Sequence, residues 1–184
     1  MLRVLEGPAS PPSRWTDDRL PSYRHVPGLT PHPLKHPKGH SYNGSVWQES
    51  LRRAFAPSQW QESHSYLLGV DLFNEAYLWE AHEAWEEVWN AVARGSLPGR
   101  MIQGMIQVAA ALLKLHMEVP RGAESNYRKA SAHFDRIEDE LEQQGIAPPK
   151  YLGVDLSSWR HSVEEYLAGN DSLYPFLLLI EDSA

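Results

Sequence analysis

The sequence predicts an all-α fold, a compact bundle of about five helices behind an irregular Pro/His-rich N-terminal arm. Three observations predict it. Apolar residues recur at helical spacing over most of the chain beyond residue 58. Strand-type alternation is absent throughout. Nine of the fourteen prolines fall within the first 57 residues, where each removes a backbone donor and blocks helix propagation. A chain of 184 residues suffices for one domain that buries its own core. The expected division is an arm over 1–44 that packs on the body and a helical domain over 45–184.

Within the arm, residues 1–20 read as loosely tethered. Residues 21–42 differ, because prolines there alternate with His25, His32, His36, His40, Tyr23 and Tyr42. Four histidines in sixteen residues are unlike a simple linker, so one fixed path over the body is expected. The four imidazoles are candidate metal ligands. Pro37 and Gly39 deny His36 and His40 the helical spacing that would bring them together, and turn formers or surface imidazoles are the more ordinary role.

The helices follow in order. Ser45–Phe55 is a short candidate stopped by Pro57. Ser58 with Gln61 has the capping-box pattern, which predicts one helix from there to about Asn74. Glu75–Tyr77 turns, and a second long helix runs over Leu78–Ala93. Arg94–Gly99 is a loop. Arg100–Met117, Ala123–Gln144 and Ser157–Leu167 complete the set, separated by Pro120, Gly122, Gly145 and the pair Pro148-Pro149. The hairpin of residues 58–93 has a tetratricopeptide-like rhythm.

Composition limits function. The chain has no cysteine, which removes disulfides, thiolate ligands and a cysteine nucleophile. The N-terminus lacks the apolar run of a signal peptide and no apolar stretch is long enough to span a bilayer, so a cytoplasmic location is expected. The net charge of −7 argues against nucleic acid as a partner. That charge is uneven: residues 1–42 carry +3 and the rest −10, so the arm suits docking on its own acidic body or on a second subunit.

Two helices carry the candidate site. On the second long helix, His82 and Glu86 lie one turn apart at the edge of the apolar arc, flanked by Trp89, while Glu80, Glu83 and Glu87 fall on the face expected to be wet. On the third, Arg100, Gln103, Gln107 and Lys114 form one narrow polar line on an otherwise apolar helix. A short loop makes the two helices antiparallel neighbours, which would turn that line toward His82 and Glu86 as a second wall. Trp85 and Trp89 suit core packing, and His116 falls on the apolar arc as a core histidine.

The run from Leu72 to Trp89, which contains His82-Glu83-Ala84-Trp85-Glu86-Glu87, resembles the signature of the domain-of-unknown-function 309 family. Arg100-Met-Ile-Gln-Gly-Met-Ile-Gln107 and its continuation to Lys114 do so too, and Gly122-Ala123 and Tyr151–Leu156 also fit. The resemblance spans roughly residues 65–168, and Tyr23–Tyr42 resembles an extension found in only part of that family. It implies a compact helical fold and a predicted metal-dependent hydrolase. The matching motif positions are His82, Glu83, Glu86, Trp89, Arg100, Gln103, Gly104 and Gln107. The chain departs at Glu75-Ala76, where the family often has a glycine.

Three readings of the cluster stand side by side. In the first, His82 and Glu86 ligate one divalent metal ion and Glu83 is the general base of a hydrolase. A third ligand would then come from Glu83, His116 or an arm histidine. In the second, His82, Glu86, Arg100, Gln103 and Gln107 form a structural hydrogen-bond network. In the third, Trp89, Arg100, Gln103, Gln107 and Lys114 line a pocket for a small molecule or peptide, in a binding module that could also form a homo-oligomer.

Overall fold

The computed structural model describes residues 7–42, 55–146 and 150–180. The helix expected over Ser45–Phe55 lies almost wholly outside them. Five α-helices pack together: α1 (His64–Asn74), α2 (Leu78–Ala91), α3 (Leu97–His116), α4 (Pro120–Gln143) and α5 (Leu156–Ala168). A two-stranded antiparallel hairpin, β1 (Lys150–Tyr151) and β2 (Val154–Asp155), precedes α5. It corrects the expectation that strands are absent, since two residues per strand leave no alternation to read. The all-α bundle is otherwise as the sequence predicts.

The single helix expected from Ser58 to Asn74 is two pieces. Pro57–Glu62 is a 3-10 turn that ends at Ser63, whose extended backbone starts α1 afresh. The residue that precedes the 3-10 turn is Ala56, with no side-chain capping bond, and Ser58 lies inside the turn, so the capping-box pattern marks the wrong start. At the other boundaries, local chemistry does the work. Ser96 Oγ accepts the Gly99 N–H to cap α3, and Pro98 sits in its first turn, where no donor is needed. Asp155 caps α5 through the Ser158 N–H, and Gly169 closes it in the left-handed region.

Helices α1 and α3 are the interior of the bundle. Every residue of α1 from Tyr66 to Asn74 is buried, and α3 buries Met101, Ile102, Met105, Val108, Ala109 and Leu112 completely. Two glycines permit the closest approaches: a Cβ at Gly69 would collide with the Trp85 indole, and one at Gly104 with the Phe134 ring. Trp85 donates to the Tyr66 carbonyl across the first approach. Between α1 and α2 the chain reverses at Ala76, which is buried at φ +58°, a conformation that a glycine would adopt without the Cβ penalty.

Two non-helical segments clasp this body. The C-terminal segment returns along α1, where the Asn74 amide exchanges two hydrogen bonds with Leu177 and the Tyr174 hydroxyl donates to the Phe73 carbonyl. The N-terminal arm takes one fixed path over α1 and α2. Asp71 accepts the Trp15 N–H, the Thr16 N–H and the Thr16 hydroxyl, each at 2.8 Å. The Arg24 guanidinium lies 4.5 Å over the Tyr77 ring, and Tyr77 donates to the Pro21 carbonyl.

Candidate functional site

The arm's path decides which carboxylates of α2 meet water. Glu80, expected on the wet face, is only 2% exposed. Its Oε1 accepts the His25 N–H at 2.9 Å and lies 2.9 Å from His40 Nε2, while its Oε2 has no partner among the described residues. The rings of His25 and His32 stand edge-on to Trp79, one position earlier on α2. Glu80 points away from the helical core, but the face it lies on is roofed by the arm. A buried carboxylate needs such partners, because leaving water costs several kcal/mol for an unpaired charge.

One turn further along, His82, Glu83 and Glu86 come together. Each is half-buried, and one ligand atom from each lies within 4.8 Å of the others. His82 Nε2 is 3.1 Å from Glu86 Oε1, with side chains 31% and 46% exposed. The spacing i, i+1, i+4 places the three on adjoining positions of one helical turn, so local geometry alone assembles the group. Burial pushes the Glu83 carboxyl above the ordinary carboxylate range, and the charge of Glu86 pushes the same way, while His82 and Lys35 of the arm oppose the rise. Glu87 is raised by burial as well, against the hydrogen bond from Ser65. Expected in solvent, it faces α1 instead.

The second wall expected from α3 is not formed as a hydrogen-bonded contact. Among the described residues no hydrogen bond or ion pair joins His82 or Glu86 to Arg100, Gln103, Gln107 or Lys114. Arg100 lines a groove with Arg136, Asp139 and Glu140 of α4, on the side of α3 that faces α4. Lys114 lies at the other end of α3, with its aliphatic stem against Gly122. Gln107 buries its Oε1 without a partner among the described residues. The physical reason is the length of α3: its polar line from Arg100 to Lys114 extends across about four turns, whereas α2 meets it on one side and α4 on the other. Trp89 is half-buried, with the Arg94 guanidinium 4.7 Å over its ring, so it is an edge residue and not an interior one.

Of the possible third ligands, only Glu83 reaches the group. His116 Nε2 lies 3.0 Å from the Tyr166 hydroxyl at the far end of α3, and burial lowers its pKa to about 4. The arm histidines are engaged elsewhere: His25 Nδ1 with Thr30, His32 Nδ1 with the Leu34 N–H, His36 Nδ1 with the Lys38 N–H, and His40 with Glu80 and Ser41. What sequence reasoning missed is Glu80, and the only available signal was the arm's positive charge opposite an acidic helix face.

Residues 66–126 match the family model described as "Domain of unknown function (DUF309)". The matched segment runs from the start of α1 into the first turns of α4 and contains His82, Glu83 and Glu86; the described arm residues lie outside it. No curated protein matches the chain. No helix of the described residues is long and apolar enough to cross a membrane.

Proposed function

We propose that His82, Glu83 and Glu86 hold one divalent cation and that the chain is a metal-dependent hydrolase. The observation that carries this reading is the convergence of an imidazole and two carboxylates, with one atom of each within 4.8 Å of the others, on a half-exposed turn. The donor set fits. Three protein ligands with free positions is the pattern of catalytic sites, where closed four-ligand sets are structural. One nitrogen and two carboxylates suit zinc, manganese or iron better than a soft ion. Two like charges on neighbouring positions raise Glu83, and a cation between them would remove that repulsion.

A bound divalent ion would supply Lewis-acid polarisation of the scissile group and acidify water near it. The chain's own residues do the rest. His82 and Glu86 orient each other through their 3.1 Å contact. Glu83 would offer the ion one carboxylate oxygen and would accept the proton of the attacking water on the other. The half-exposure of all three leaves room for a substrate.

The structural-network reading loses its basis, because exposed ion pairs of this kind contribute only about 0.5 kcal/mol. A binding module is favoured by a different feature, a groove of about 720 Å³ between α4 and α5 lined by Leu115, Tyr127, Arg128, Asp135 and Leu167. Its volume is within the range of small-molecule sites. Titration of the metal-free chain with Mn²⁺ separates the two. The hydrolase reading expects one ion per chain in the wild type and none in His82→Ala. Equal binding by both proteins, or none by either, overturns it. Broad ester and phosphoester screening of the loaded protein then tests catalysis itself.

A further inference from the structure

The stretch of arm that closes over the start of α2 is built on histidines, and the His82–Glu83–Glu86 group uses none of them. His25 and Val26 are its plug. Val26 is fully buried and joins the helical core, and His25 is 5% exposed. A tight turn follows. The Leu29 and Thr30 N–H groups donate to the Val26 carbonyl at 3.0 and 3.1 Å, and the Val26 N–H donates to Thr30 Oγ1 at 2.9 Å. The same hydroxyl lies 2.9 Å from His25 Nδ1. The His25 ring stands edge-on to Trp79 at 5.2 Å and lies 5.4 Å from the His32 ring. His40 shares the Glu80 carboxylate at 2.9 Å, with the Tyr23 ring 4.7 Å from its own.

Charge decides what this packing tolerates. The groups that act on the His25 imidazole are Glu80 of α2 and His32 and His40 of the arm. Arg24, next in the chain, is engaged with the Glu75 carbonyl and the Tyr77 ring. Tyr77 and Glu83 also feel the Glu80 charge. One carboxylate thus serves three imidazoles. Its Oε1 is already shared by the His25 N–H and His40, and its Oε2 has no partner among the described residues. Burial holds the His25 imidazole below its ordinary range. Glu80 and the Pro31 carbonyl oppose that shift, and charges on His32 and His40 add to it. In a released arm the ring would sit in water and hold its proton up to about pH 6.5. The released state therefore binds the extra proton, so closure is favoured above that pH and weakens as pH falls below it.

We propose that residues 23–42 form an acid-released clasp, in which protonation of His25 expels the His25–Val26 plug and lifts this part of the arm from the first turn of α2 while α1–α5 stay folded. Release brings Trp79 and the Glu80 carboxylate to the surface. The inference is independent of the metal reading and stands whether or not an ion binds.

Amide hydrogen exchange of the full chain at about pH 7.5 and about pH 5, expressed as protection factors, tests it. The Val26, Leu29 and Thr30 amides should lose protection by about tenfold in acid, the scale of one lost hydrogen-bonded contact. The α1 and α3 amides should stay more strongly protected than the turn at both values, because the body remains folded. His25→Phe keeps a ring against Trp79 and cannot take a proton, so its turn should keep its protection in acid. Equal protection of the wild-type turn at the two values overturns the proposal. So does a turn that exchanges in step with α1 and α3, or the same acid loss in His25→Phe. If His25→Phe leaves the turn open at both values, the NMR titration of the His25 ring in the wild type decides: release in step with it supports the clasp, and release at a different pH overturns it.

Discussion

Glu80 and Glu86 occupy the same helix six residues apart and live in opposite surroundings. Glu80 is 2% exposed and holds the arm through His25 and His40. The Glu86 side chain is 46% exposed, and among the described residues its ion pair is with His82. Each is one step of helical geometry from a solvent face, and the arm covers the first and stops short of the second. The same residue type is therefore a fastener at one end of α2 and an available donor at the other. Asp71 on α1 repeats the fastening role, with three donors from Trp15 and Thr16 on a carboxylate 1% exposed.

That contrast can be broken by mutation. The largest effect is expected at Glu80. Glu80→Ala leaves the His25 N–H and the His40 imidazole without their acceptor and should cost about 3 kcal/mol in chemical denaturation. A variant that unfolds like the parent would show that the arm is not fastened there. Asp71→Ala should follow at about 2 kcal/mol, and limited proteolysis should cut the released chain near Trp15 and Thr16.

His116 sharpens the comparison by pH. Its folded pKa of about 4 lies below the unfolded value, because burial disfavours the imidazolium. The unfolded chain then binds more protons between pH 6.5 and 4, so this contribution is present above pH 6.5 and is lost as pH falls toward 4. The group facing the imidazole is the Tyr166 hydroxyl. In His116→Asn the acid-induced loss of stability over that window should shrink by about 1–2 kcal/mol, measured as denaturation midpoints at a series of pH values. An unchanged pH dependence would place His116 in water. The smallest effect is expected at the open end of α2. His82→Ala should change metal-free stability by about 0.5 kcal/mol or less, as for other exposed pairs. A loss as large as that of Glu80→Ala would return His82 to a structural role.

The part of the site that was legible in the sequence is the part that one helical turn contains. His82, Glu83 and Glu86 meet because 3.6 residues make a turn, whatever surrounds them. Reading the opposite wall from α3 failed for a related reason. The angles on α3 gave a true polar line, but angles on one helix do not say which neighbour each segment of the line faces. Arg100 faces α4, and Gln107 buries an oxygen without a partner among the described residues.

The sequence by itself determined the helical class, the turn at Glu75–Tyr77, the interior of α3 and the irregular course of the arm, since periodicity, proline and glycine act over a few residues. Only the tertiary structure decided that Glu80 is dry and that the arm is fastened to it. Those outcomes depend on contacts between residues about forty to sixty positions apart, such as His40 with Glu80 and Thr16 with Asp71. Burial is a property of what covers a face, and no pattern within the face records it.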